Sequence, residues 1–229
     1  MSVDSSPMFE LANVQSLLIW AIAEAILTGG WLLLQHRLPQ RWYSLIQLVR
    51  LSAIPYFALI SGQISPRLMG FSGYDWSNSL SIGSLLIVSV FALWIGIRVT
   101  EEANSVAVEA TPEQLSPGMS LKWSINGLLL LTAGGWELNW AFWRVVFSQG
   151  VALLVAGIES PLYWGIACAV LFALLTLFFS SLTPAARITS VAILIATSVL
   201  FLFTRNFWLC WFLHAMLQLT SMPDARWKH

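Results

Sequence analysis

Apolar residues run through this chain in long blocks separated by shorter polar breaks. The blocks are Val14–Leu34, Ser44–Ser61, Ser79–Ile97, Trp123–Gly157, Leu162–Ser180, Ala186–Phe203 and Phe207–Met222. A helix crossing a bilayer needs about 20 mostly apolar residues, so the pattern predicts an all-α membrane protein, a polytopic bundle of about seven transmembrane helices. Two blocks depart from the simple case. Ser44–Ser61 is short and carries Pro55, where a kink is expected. Trp123–Gly157 is too long for one ordinary span, so it is either a tilted helix or two segments broken at Gly134-Gly135.

The polar breaks suggest an organisation. Gly62–Asn78 is a loop rich in Gly, Ser and Pro. Arg98–Lys122 is the one long polar stretch, with Glu101, Glu102, Glu109, Glu113 and two prolines, and reads as a linker. The expected division is an N-terminal three-helix membrane part over 1–98, a polar cytoplasmic linker over 99–122, a helical core over 123–222 and a short cytoplasmic tail over 223–229.

Composition makes the membrane reading firm. Of 229 residues, 58% are hydrophobic and only 10% are charged, against about 25% charged in soluble domains. Lys+Arg and Asp+Glu balance at 11 each, so nothing points to a nucleic-acid partner. The expected surroundings are the lipid bilayer and other membrane proteins. Met1–Asn13 holds Asp4 and Glu10 but no Lys or Arg, unlike a signal or transit peptide. Insertion is expected through the first apolar helix, in a bacterial-type inner (plasma) membrane or a thylakoid membrane.

Basic residues give an orientation. With the N-terminus outside and the C-terminus inside, the inner face takes Arg37, Arg41, Arg50, Arg98, Lys122, Arg187, Arg226 and Lys228, and the outer face only Arg67 and Arg205. That bias follows the positive-inside rule and predicts N-out/C-in.

Several ionisable groups fall inside the apolar blocks, where they mark a functional site or a buried pair. Glu137 and Arg144 are seven residues apart, on nearly one helix face and roughly 10 Å apart along the axis. Glu24 and Arg50 form a second candidate pair on adjacent spans. His214 and Gln218, at i and i+4, share a face. Cys210 lies one turn before His214, but two ligands fall short of the three a metal site needs, so no metal and no cofactor is expected. Cys168 and Cys210 read as small buried hydrophobes. Gly29-Gly30 and Gly134-Gly135 read as points of close helix approach. No GxSxG, HExxH or phosphate-binding glycine loop occurs.

The order of the C-terminal polar features resembles the CPBP family, the CAAX proteases and bacteriocin-processing (Abi) enzymes. That family carries EExxxR, FxxxH and HxxxN or HxxxD on successive helices. The resemblance covers roughly Ile125–Leu219. Arg144 stands at the arginine of the first motif, Phe172-Ala173-Leu174-Leu175-Thr176 at FxxxH, and His214 with Gln218 at the third. The family pattern places its two glutamates at Asn139 and Trp140, and its FxxxH histidine at Thr176. The resemblance thus implies a membrane bundle whose general base and one histidine have been replaced.

Three functions follow as expectations. The first is a non-catalytic scaffold, binding partner or assembly factor of other membrane proteins. The second is a divergent intramembrane protease using Glu137 and His214, with Glu137 displaced about one turn, roughly 5 Å, from the position of the lost glutamate. The third is a small transporter, with Glu24 as relay acid, or a pigment-binding subunit, given 13 tryptophans and His214.

Overall fold

A computed structural model describes residues 14–37, 40–105, 119–155, 157–180 and 182–221. The acidic N-terminal stretch, most of the polar linker and the basic C-terminal tail lie outside the described residues. Among those described, seven α-helices form: α1 (Val14–Leu34), α2 (Gln40–Ile60), α3 (Trp76–Ser105), α4 (Met119–Leu154), α5 (Pro161–Phe178), α6 (Pro184–Thr204) and α7 (Phe207–Thr220). A 3-10 turn, Gln35–Arg37, follows α1. Among the described residues the regular structure is all helical, as the apolar blocks predict.

Five of these helices, α1, α2, α3, α5 and α6, are long and apolar enough to cross a membrane. The remaining two differ from the expectation in opposite ways. The 14 residues of α7 span roughly 21 Å, short of a bilayer core of about 30 Å. The 36 residues of α4 span roughly 54 Å. It is one continuous helix through Gly134-Gly135, not two. A helix-interior glycine costs about 1 kcal/mol relative to alanine, but packing offsets that here. A Cβ on Gly135 would sit 3.1 Å from Leu48 and 3.2 Å from Ser52, and one on Gly134 would sit 3.2 Å from the Trp211 ring. The missing side chains admit α2 and α7. Gly29 and Gly30, by contrast, have nothing within 4 Å of a built Cβ, so the close approach expected there is absent.

α2 continues through Pro55, and α3 runs past the apolar block to Ser105. Short turns join α5 to α6 and α6 to α7. Pro184 opens α6 behind Thr183, whose hydroxyl accepts from Ala186 N, and Asn206 caps α7 by accepting from the amides of Trp208 and Leu209.

α4 is the centre of the bundle. It packs on α5, α2, α7 and α1, while α3 lies on α6 at the flank. Residues 140–145 are buried without interruption, and Ala141 and Phe142 expose nothing. A helix apolar on one face only would not look like this; one enclosed on every side does. The outside of the bundle carries the reverse pattern, with Ile26, Leu33, Leu85, Leu93 and Ile188 among many exposed large apolar side chains. Such a surface suits lipid rather than water, in keeping with a multi-pass membrane protein.

The loop Gly62–Asp75 folds over one end. Gly70 (φ +81°) accepts a hydrogen bond from Phe207 N at 2.9 Å, and a Cβ there would lie 2.7 Å from Arg205 O. Ser79 Oγ donates to Thr204 O at 3.2 Å, tying the start of α3 to the end of α6.

Candidate functional site: two buried polar networks around the central helix

Because α4 is enclosed, any polar side chain on it must find its partner on a neighbouring helix. It does so on two faces. Glu137 and Asn139 are two residues apart, about 200° around the helix, and each anchors a separate network.

On the face toward α6 and α7, Glu137 is fully buried and its Oε1 lies 2.9 Å from His214 Nδ1. Its Oε2 lies 3.7 Å from Arg144 Nη2. The Arg144 guanidinium also donates to Ser198 Oγ at 3.4 Å and sits 4.7 Å from the Phe201 ring centroid. Trp140 stacks on the His214 ring, with centroids 5.2 Å apart and planes 23° apart. An acid, a histidine and an arginine therefore meet inside the bundle. The i+7 spacing of Glu137 and Arg144 foretells their meeting, whereas His214 comes from a helix 77 residues away. These contacts offset part of the high cost of bringing charge into a low-dielectric interior, although Glu137 Oε2 has no hydrogen-bond partner among the described residues.

On the face toward α1 and α2, Asn139 Nδ2 donates to Glu24 Oε1 at 2.5 Å. Thr28 Oγ1 donates to the same oxygen at 3.3 Å and accepts from Arg50 Nη1 at 3.0 Å. The expected Glu24 and Arg50 pair is therefore joined through Thr28. The guanidinium of Arg50 is flanked by the rings of Trp31 and Trp136, 5.7 and 5.8 Å from their centroids, within cation–π range. Thr28 is the residue that sequence reasoning missed. Its i+4 spacing from Glu24 was the available signal. Ser198, an apolar-block serine like many others, offered none.

The positions named by the family resemblance divide between two places. Asn139, Trp140, Arg144 and Thr176 line a cleft between α1, α2, α4, α5 and α6. Glu137 and His214 stand behind Trp140 and Arg144, outside that lining. Thr176 Oγ1 donates to Ala173 O of its own helix at 2.8 Å. Gln218 Oε1 is buried and has no hydrogen-bond partner among the described residues, so the amide is not seen to join the Glu137 network. Cys210 is fully buried and donates to Thr197 O at 3.4 Å, and Cys168 is half-buried. Among the described residues no group of three or more His, Cys, Asp or Glu side chains could hold a metal ion.

Hydrolysis through Glu137 would need a water within hydrogen-bond reach of its carboxylate and room for a scissile bond beside it. Its oxygens face a histidine and an arginine at zero exposure. Comparison with protein-family models, with curated proteins and with solved structures finds no match.

Proposed function

We propose that this chain is a non-catalytic membrane protein, a helical scaffold or assembly partner for other membrane proteins, built on a CPBP-like arrangement whose catalytic groups have become structural. The observation that supports this reading is the engagement of Glu137. Its one oxygen is taken by His214 and the other faces Arg144, and no surface of it is open. A general base needs a reactant beside it, whereas a structural carboxylate needs only partners. Asn139, at the place of a family glutamate, holds Glu24 of α1 instead. In this reading the N-terminus lies outside and the C-terminus inside a bacterial-type inner membrane or a thylakoid membrane.

One observation favours a second reading, the divergent intramembrane protease. A carboxylate and an imidazole 2.9 Å apart are the pieces of a general base and its partner. The separating experiment assays cleavage of prenylated and membrane-embedded peptides by the purified protein and by His214→Ala. The expected result is no cleavage above the background of the variant. Robust cleavage that His214→Ala abolishes overturns the scaffold reading.

A further inference from the structure

Two cavities enter the bundle from opposite ends of α6. The first is the cleft over α4. It begins at the turns joining α1 to α2 and α5 to α6, where Gln35, Tyr43, Ser180 and Leu182 line it. Its volume is about 50 Å³, room for roughly three to five water molecules. The second, of about 200 Å³, lies beside the loop Gly62–Asp75, lined by Arg67, Asp75, Asn78, Thr204 and Arg205 among others.

The partition between them is thin. Along α6 the cleft extends as far as Ser198, and the second pocket begins at Phe201, three residues on. That is about 4.5 Å of helix axis. The Phe201 ring fills the gap, and the residue is only 2% exposed. The guanidinium of Arg144, which lines the cleft, sits 4.7 Å from the ring centroid. Gly70 backs the ring, since a Cβ there would come within 2.8 Å of Phe201 Cε2. One side chain thus separates two cavities.

The linings share a character. The cleft sets the amides of Gln47 and Asn139 and the hydroxyls of Thr176 and Ser180 beside Arg50 and Arg144. The second pocket sets Asp75 and Asn78 beside Arg67 and Arg205. Donors and acceptors mixed in this way suit a small neutral dipole that can both give and take hydrogen bonds. An arginine at the narrowest point disfavours cations, and an apolar ring there shuts a path by excluding water.

We propose that the cleft and the second pocket are the two halves of one water path through the bundle, closed at Phe201. Withdrawal of that ring joins them. The path is separate from the scaffold reading, because a bundle that holds partners can conduct water or stay dry.

The test reconstitutes the full chain in liposomes and follows their osmotic shrinkage by stopped-flow light scattering. Wild type is expected to match empty liposomes. Phe201→Ala is expected to shrink at least threefold faster, and the milder Phe201→Leu to fall between. Adding Thr176→Leu, which narrows the cleft away from Phe201, should bring Phe201→Ala back toward wild type and so exclude a leak from general loosening. A second measurement leaves Phe201 intact. With Cys168 and Cys210 replaced by alanine, single cysteines are placed in the cleft (Thr176→Cys) and in the second pocket (Thr204→Cys). A membrane-impermeant thiosulfonate, which attacks the thiolate that forms in water, is applied to intact cells and to inverted vesicles of a bacterial host. Each cysteine is expected to react from one side only, and the two from opposite sides. Shrinkage of folded Phe201→Ala at the wild-type rate, no slowing by Thr176→Leu, or failure of Thr176→Cys to react from either side overturns the proposal.

Discussion

Asn139 donates to Glu24 at 2.5 Å across 115 residues of chain, a polar tie between the first helix and the central one beside their apolar packing. Glu24 is fully buried, and its partners are Asn139 and Thr28. Removing Asn139 leaves a buried carboxylate short of a donor, which costs about 1–3 kcal/mol. Asn139→Ala is therefore expected to lower the melting temperature in detergent, and Asn139→Ala combined with Glu24→Gln to lose less than the two separate losses summed. Strict additivity would mean that the two residues do not communicate.

The Glu137 and His214 pair makes a graded prediction. Glu137→Gln keeps an oxygen that can face the imidazole but leaves Arg144, 3.7 Å away, buried without its counter-charge, while His214→Ala removes one partner of Glu137 and keeps that ion contact. Breaking a buried pair from one side costs about 3–5 kcal/mol. Unfolding in increasing SDS should rank wild type above His214→Ala and His214→Ala above Glu137→Gln. An unchanged His214→Ala transition would show that the contact carries no stability.

Two glycines, each inside an apolar helix, should respond oppositely. A Cβ on Gly165 would run into the side chain and backbone of Ser148, so α4 and α5 would have to part. Gly165→Ala is expected to destabilise by about 1–3 kcal/mol, as overpacking does. Gly30, with nothing within 4 Å, should gain up to about 1 kcal/mol on Gly30→Ala from helix propensity. Melting temperatures of the two variants decide it, and equal shifts would count against this packing.

Arg205 closes α6 with a left-handed backbone (φ +48°), and its N–H bonds Phe201 O. A side chain in that region costs roughly 1–2 kcal/mol, which glycine avoids. Arg205→Gly should raise the melting temperature slightly. A fall would mean that the arginine side chain holds the α6–α7 turn by contacts that outweigh the strain.

Local chemistry along the chain carries much of this protein. Runs of apolar residues at helical length determine that it is all-α and lipid-facing, because backbone groups in hydrocarbon must bond within their own segment. The shared face of Glu137 and Arg144 follows from spacing alone. What a helix packs against does not. Gly134-Gly135 reads equally as a break or as a contact. The approach of Ser52 and Trp211 makes it a contact, and α4 stays whole. The third block extends into polar sequence because helix propensity continues beyond the apolar window, and α7 falls short of a span because its cap at Asn206 and its end at Thr220 leave only 14 residues.

The site divides the same way. That Glu24, Arg50, Glu137, Arg144 and His214 need partners is written in their burial within apolar runs. Which partner each takes depends on the azimuth of four helices around α4, a property of packing that no single segment contains. Thr28 enters between Glu24 and Arg50, Asn139 turns to α1 instead of to Arg144, and Trp140 covers His214. The sequence by itself determined that charges would be buried and balanced. Only the tertiary structure decided that Glu24 is held by Asn139 and Thr28, and Glu137 by His214 beside Arg144, because side-chain direction around an enclosed helix is set by its neighbours.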